Sequence, residues 1–260
     1  MIETQTVKRP LVTVVMPAYN AARYIEESIR SVQSQTVTDW ELIVVDDCSA
    51  DDTCGLVEAL AAEDPRIRLV KNEENSGVAR TRNRAMDMAQ GSFVAFLDSD
   101  DIWYSEKLEK QLDVLQGKNA DLCYASYRLV KAEDKAPIRN YRVPEDTSFE
   151  DMLGQNRIGC STVLMTRELA DRHRFTTEFY HEDYVLWLRM LQQGAKMVGV
   201  ADTLVDYRYY PTSKAGNKAA SAGYRWDIYR RCLGLNVGRS TYYLAQYALA
   251  GVKKYWKVQR

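Results

Sequence analysis

The stretch Ser92–Asp101, SFVAFLDSDD, decides how this chain is read. Phe93, Val94, Ala95, Phe96 and Leu97 run without a polar break into Asp98, Asp100 and Asp101. An apolar run of this length fits a strand buried on both faces of a parallel sheet. Open α/β sheets bind ligands beyond the carboxyl ends of their strands, which is where the three acids stand. Desolvated charge is expensive unless it is paired. The acids therefore call for a cation, and a hard divalent ion that also contacts a diphosphate meets that need.

Toward the N-terminus the same rhythm repeats. LVTVVM (11–16) reads as a buried strand closed by Pro17. Asn20 is placed to cap a helix over 21–35, with Ile25, Ile29 and Val32 on one face. ELIVV (41–45) is a second strand, running into Asp46-Asp47. Ser49 and Asp52 have capping-box spacing for a helix to residue 62, which Pro65 breaks. IRLVK (67–71) is a third strand, and a helix over 78–89 stops at Gly91. Strands alternating with helices imply right-handed crossovers and a parallel sheet. Residues 10–101 thus form a nucleotide-binding α/β half. No G-x-G-x-x-G follows the first strand, and G-x-x-x-x-G-K-[ST] is absent. Dinucleotide oxidoreductases and P-loop enzymes are thereby disfavoured.

Beyond Asp101 the pattern predicts a helix over 104–116 and a strand over 121–127. Residues 131–147, with Pro137, Pro144 and many charges, read as a mobile loop. A strand near 160–165, a helix over 182–193 and two last strands at 196–200 and 203–209 follow. The expected organisation is a main domain over 1–212, with a second half over 102–212, and a helical tail over 213–260.

Composition adds limits. The chain has 260 residues, 46% hydrophobic, and a net charge of −1, so no polyanion such as nucleic acid is expected as a partner. The charge is uneven: residues 214–260 hold ten Lys or Arg and the single acid Asp227. That tail also carries Tyr224, Trp226, Tyr229, Tyr242, Tyr243, Tyr247, Tyr255 and Trp256. Trp and Tyr favour the membrane interface, and Lys and Arg favour anionic headgroups. The tail is therefore expected to seat the protein on the inner face of the cell membrane. The plainer alternative is that its aromatics pack on the body and its charges are solvated. The five cysteines form no C-x-x-C pair, and with two histidines there is no zinc spacing. MIETQTVKRP lacks the apolar core of a signal peptide, and no run approaches a membrane span. A cytoplasmic protein, soluble or peripheral, is expected.

Four polar clusters remain: Pro17-Ala18-Tyr19-Asn20, Asp46-Asp47, Asp98-x-Asp100-Asp101 and His181-Glu182-Asp183. In a parallel sheet the first three share one edge, and that convergence outweighs any single motif. Each also has a plainer reading. Asp46-Asp47 could cap a turn, and Glu182-Asp183 could be first-turn acids favoured by the helix dipole. Arg80, Arg82 and Arg84 could form a solvated face, His181 could simply open its helix, and Cys48 could be a small packing residue.

Together VVMPAYNAARYIEESIRSVQSQT, ELIVVDDCSADDT, NSGVARTRNRAMDMAQGSFVAFLDSDD and YHEDYVLWLRML resemble the inverting nucleotide-sugar glycosyltransferases of family 2, over residues 10–210. The resemblance implies the GT-A fold, a Rossmann-like, mostly parallel sheet flanked by helices, here with a C-terminal helical extension. It implies that Pro17, Ala18 and Tyr19 line the nucleobase pocket and that Asp46 or Asp47 accepts from the base. Gly77, Arg82 and Asn83 match the family's stretch at the nucleotide-sugar edge, where Thr81 replaces the usual alanine. Asp98 and Ser99 would meet ribose or sugar, and Asp100 would hold Mn²⁺ or Mg²⁺. Asp183 would be the catalytic base, supported by Glu182. Arg208 and Lys214 fall in a stretch resembling the loop that closes over the diphosphate; Tyr210 stands where the family often has histidine. Asp101 receives no role.

These roles suit the chemistry. Departure of a nucleoside diphosphate builds negative charge, which a metal neutralises. The attacking hydroxyl needs one base, and a single carboxylate suffices for one inverting displacement. The implied reaction moves a sugar from a nucleotide diphosphate donor, a UDP-sugar by preference, to a sugar hydroxyl. The implied acceptor is a growing bacterial surface polysaccharide or lipopolysaccharide, which includes lipid-linked glycans. Two other classes compete. A sugar nucleotidyltransferase would need a Gly-rich basic phosphate loop after the first strand, which Pro17-Ala18-Tyr19-Asn20 is not. A non-catalytic sugar-nucleotide or glycan-binding protein would have no need of both Asp100 and Asp183.

Overall fold

A computed structural model describes residues 9–210 and 218–256. Its first half alternates β1 (Val12–Ala18), α1 (Ile25–Gln33), β2 (Trp40–Asp46), α2 (Thr53–Glu63), β3 (Ile67–Lys71), α3 (Val78–Met88) and β4 (Phe93–Phe96). β1 pairs in parallel with β2 on one side and with β4 on the other, and β2 pairs in parallel with β3. The chain thus winds outward to β3 and then crosses to the far side of β1. That reversal opens a crevice at the carboxyl ends of β1 and β4, where such sheets take their ligands.

The second half adds β5 (Ile102–Trp103), α4 (Lys107–Lys118), β6 (Leu122–Lys131), β7 (Pro137–Tyr141), α5 (Phe149–Gly154), β8 (Leu164–Thr166), α6 (Arg167–Arg172), α7 (Glu182–Gln192) and β9 (Met197–Tyr209). Among the described residues the strands form one mixed sheet in the order β3-β2-β1-β4-β8-β6-β9-β5, with β7 beside β6.

Both faces are covered, which explains the unbroken apolar runs. Along β2, Leu42 and Val44 enter the core beneath α1, α2 and α4, while Ile43 and Val45 enter the opposite core with α3 and α7. The predicted face of α1 holds: Ile25, Ile29 and Val32 are all fully buried.

Several local expectations change. Pro17 lies inside β1, paired with Val45. Tyr24, not Asn20, precedes α1, and no side chain caps it. Asp52 precedes α2 without the predicted capping bond. The expected loop 131–147 contains β7, an edge strand whose side chains are mostly exposed and so lack an apolar pattern. The two expected last strands are one strand, β9, interrupted where Ala201 and Asp202 bulge out between the pairs Ala125–Val200 and Ser126–Thr203. Cys48 is exposed at φ 65°, not packed.

The C-terminal segment is helical as expected: α8 (Lys218–Asp227), a π turn (Ile228–Cys232) and α9 (Val237–Trp256). Part of it belongs to the core, as the plainer alternative held. Ile228, Tyr229, Leu235 and Tyr243 are buried in the cluster that contains α7. Buried Arg225 donates to the Tyr184 hydroxyl at 2.9 Å and lies 4.1 Å from the Tyr247 ring. Tyr242 and Leu249 stay outside, 58% and 62% exposed. No helix among the described residues is long and apolar enough to cross a membrane.

Candidate active site

The parallel strands β1, β2 and β4 deliver three of the polar clusters to one edge. Pro17 and Ala18 end β1 in buried positions, and Tyr19 projects 54% exposed. Asn20 turns the chain at φ 48°, its N–H donating to Ser49 Oγ and its Oδ1 accepting from Ala50 N. Ser49 in turn donates to Asp46, through Oγ at 2.5 Å and N at 3.0 Å. Buried Asp47 accepts from Asn72 Nδ2 at 2.7 Å, Ser76 N at 2.9 Å and Gly77 N at 2.8 Å. Burial alone would raise its pKa, but those bonds hold it below the usual carboxylate value. Gly77 opens α3 at φ 84°, a conformation that only glycine adopts without strain. Neither acid of the doublet is unpartnered, and both shape the turn around the crevice.

Arg82 joins the rest. Its side chain, 5% exposed, donates to Asp98 at 2.6 Å and to Glu182 at 2.8 Å. Burial disfavours its charge, yet Asp98 and Glu182 raise its pKa well above the ordinary value. One guanidinium therefore fixes the end of β4 to the start of α7. The solvated-face reading of Arg82 is excluded by this burial. Asn83 faces elsewhere: it donates to Phe175 O and accepts from Phe175 N, both at 2.9 Å, and so clamps α3 to the segment after α6.

Asp101, which the sequence left without a role, is 2% exposed. It accepts from Ser161 Oγ at 2.6 Å and from Arg208 N at 3.1 Å. Ser161 Oγ also accepts from Asp98 N at 3.1 Å, so one serine sets both acids. Ser161 itself is held by Trp103 Nε1 donating to its carbonyl at 2.8 Å and by its N–H donating to the Tyr207 hydroxyl at 2.8 Å. Arg208, on β9, is buried against Tyr24, pairs with Glu27 and donates to the Asp100 carbonyl. Ser99 presents its carbonyl to Ser28 Oγ at 3.0 Å. Lys214 lies outside the described residues.

Asp100 and Asp183 are half-buried acids that Arg82 does not bond. Burial and nearby Asp98 raise Asp100, against the Tyr210 hydroxyl bonded to its carboxylate and the charge of Arg208. Tyr210 thus reaches the acid edge, a partner the spacing alone did not reveal. Asp183 sits in the first turn of α7, after His181 in the left-handed region at φ 62°. Such backbone strain recurs at functional sites. Burial and adjacent Glu182 push Asp183 up to about 6, while Arg82 pulls it down. A carboxylate at that value is ionised at neutral pH and still basic enough to take a proton.

The edge is too acidic to meet a diphosphate unaided. Asp98, Asp100, Asp101, Glu27, Glu182 and Asp183 face the guanidinium groups of Arg82 and Arg208. Mg²⁺ or Mn²⁺ suits these oxygen donors, because such ions take one or two carboxylates and complete their shell from substrate phosphates and water. Among the described residues no three His, Cys, Asp or Glu groups form a ready-made cage. Asp98 is ion-paired with Arg82 and Asp101 is buried on Ser161, whereas Asp100 is half-buried and its carboxylate meets the neutral Tyr210 hydroxyl, so Asp100 fits the ion best.

Residues 13–175 match the family described as Glycosyl transferase family 2. The chain is 38% identical to the putative teichuronic acid biosynthesis glycosyltransferase TuaG of Bacillus subtilis, over 95% of this chain and 98% of that one. It is 36% identical to the UDP-Glc:α-D-GlcNAc-diphosphoundecaprenol β-1,3-glucosyltransferase WfgD of Escherichia coli, over 94% and 95%. Among solved structures it is similar to S. aureus TarS in complex with UDP-GlcNAc, with TM-score 0.72 and 21% identity over 91% of this chain and 71% of that one. The Pyrobaculum calidifontis mannosyltransferase PcManGT, in complex with GDP-Man and Mn²⁺, has the same fold, with TM-score 0.70 and 20% identity over 94% and 74%. With its GT-A architecture and its acid-lined crevice, the chain belongs to glycosyl transferase family 2 and is a glycosyl-transferring enzyme.

Proposed function

We propose that this enzyme is a metal-dependent inverting transferase that moves a sugar from a UDP-sugar to a hydroxyl of a lipid-diphosphate-linked glycan precursor. The observation that carries the proposal is Asp183, a half-buried carboxylate raised to about 6, joined through Glu182 and Arg82 to Asp98 at the end of β4. The donor's base lies between Tyr19 and the turn held by Asp46 and Asp47. Asp47 is occupied in shaping loop 72–77, whereas Asp46 is held by Ser49 and Cys54 on its own side of the turn, so Asp46 is the better partner for the base. Asp98 and Ser99 meet the ribose and the sugar. A divalent ion held by Asp100 supplies neutralisation of the leaving diphosphate. Arg208 secures the Asp100 backbone from behind.

Asp183 takes the proton of the acceptor hydroxyl as its oxygen attacks the anomeric carbon from the face opposite the diphosphate. The bond to the diphosphate breaks, and UDP leaves with its charge compensated. Glu182 stays paired with Arg82, which keeps Asp183 from rising further. The name of WfgD supports a lipid-diphosphate acceptor, and that of TuaG supports a part in polysaccharide biosynthesis. An enzyme working on such an acceptor would act at the inner membrane face, and exposed Tyr242 and Leu249 on α9 are side chains it could present there.

The test is a donor screen by thermal shift with Mn²⁺, followed by transfer from the stabilising donor to a GlcNAc-diphospho-polyprenol. Stabilisation by UDP-sugars and formation of a disaccharide-diphospho-lipid are expected. Stabilisation without transfer to any lipid-diphosphate sugar would revive a binding-only role.

A further inference from the structure

Two tyrosines, one of them on the turn that leads into the proposed base, are stacked and open to solvent. Tyr180 and Tyr224 lie with ring centroids 4.3 Å apart and planes at 20°, and they are 36% and 40% exposed. His181 meets the Tyr180 ring edge-on at 4.8 Å and Tyr224 at 6.3 Å. Burying aromatic rings is strongly favourable, so a stacked pair left half in water marks a surface built to meet something.

Both rings are fixed from behind. Tyr180 leads into the strained turn at His181 that opens α7. Tyr224 precedes Arg225, which is buried and hydrogen-bonded to Tyr184 on α7. The stack restrains both rings before binding, which removes part of the usual entropic cost.

We propose that this pair is the platform on which the acceptor's pyranose ring lies when its hydroxyl meets Asp183. The proposal rests on Asp183 as the base. A pyranose has an apolar C–H face and a rim of hydroxyls, and tyrosine offers an apolar face with a polar tip. Burial raises the pKa of the Tyr180 hydroxyl, and Tyr224 and then Glu182 add to it, which places Glu182 near this ring. Glu182 itself is engaged by Arg82, so the platform recognises the sugar through the ring faces and the tyrosine hydroxyls rather than through free charge.

The test pairs direct binding with kinetics. Saturation-transfer NMR with methyl α-glycosides of GlcNAc, GalNAc, Glc and Gal reads binding without turnover. Transfer to GlcNAc-diphospho-polyprenol reads acceptor and donor KM separately. Tyr180→Ala and Tyr224→Ala are each expected to abolish the NMR signal and to raise acceptor KM about tenfold, the value of one aromatic contact, while UDP affinity by calorimetry stays within about twofold. Tyr180→Phe and Tyr180→Trp, which keep a ring, are expected to restore most of the signal. If no glycoside binds the parent protein, or if both alanine variants retain binding and acceptor KM, the platform is refuted. Asp183→Asn separates the two claims: if it turns over normally, the base assignment fails, whereas loss of platform binding with an inactive Asp183→Asn supports both.

Discussion

Replacing Arg82 by methionine should change stability and pH dependence together. Its guanidinium, 5% exposed, spans Asp98 and Glu182, whose side chains are 29% and 21% exposed. Removing one partner of a buried ion pair costs about 3–5 kcal/mol. The two acids here regain some water, so about 3 kcal/mol is expected, or roughly 6–12 °C in Tm for a chain of this size. The same charge pulls Asp183 down from the value that burial and Glu182 would give it. Losing an interaction of about 1.4 kcal/mol would move it by about one pH unit. The acid limb of kcat/KM, expected near pH 6 in the parent, should therefore move up by about one unit in Arg82→Met. Arg82→Lys, which keeps the charge, should leave it nearly in place. Circular dichroism melts and UDP-release assays across the acid range measure both quantities. An unmoved limb in Arg82→Met would refute electrostatic coupling to the base, and an unmoved Tm would refute the buried bridge.

Asp183→Asn should keep UDP binding and lower transfer by about 10²–10⁴, read by calorimetry and product formation. In the parent, protonation of Asp183 below about pH 6 should make kcat/KM fall as pH drops, with a plateau above; a rate that rises on acidification would contradict a base. Chelation by EDTA should abolish transfer and Mn²⁺ should restore it, and Asp100→Asn should raise the Mn²⁺ concentration needed; full activity in chelator would remove the metal from Asp100. Gly77→Ala should destabilise by about 1–2 kcal/mol in urea melts, because its φ of 84° strains any side chain although nothing crowds the site.

What the sequence disclosed was periodicity and residue type. The apolar runs of β1, β2 and β4 are legible because both sheet faces are covered. Their parallel order follows from the helices between them, and so does the shared edge of Asp46, Asp47 and Asp98. What stayed hidden was pairing across distance. Arg82 meets Glu182 one hundred residues away, and Arg208 meets Glu27 across 181. Asp101 looked like one more acid in a cluster, but a serine on a turn near residue 161 makes it a fixed point of the site. β7 was illegible for a different reason: an edge strand with exposed side chains and a leading proline has neither alternation nor an apolar run.

Arg225 gives the C-terminal segment a consequence for how such enzymes diversify. Its guanidinium sits under Tyr184, the residue that follows Asp183, and it shares the Leu153 carbonyl with Tyr229. Replacing the segment after residue 217 with that of a relative would therefore change more than an appendage. It would change the floor beneath the base and the partner ring of Tyr180, while leaving the β1–β4 edge untouched. Acceptor choice could then drift by exchange of C-termini while donor choice stays put, so the two specificities of one small chain would evolve as separable parts.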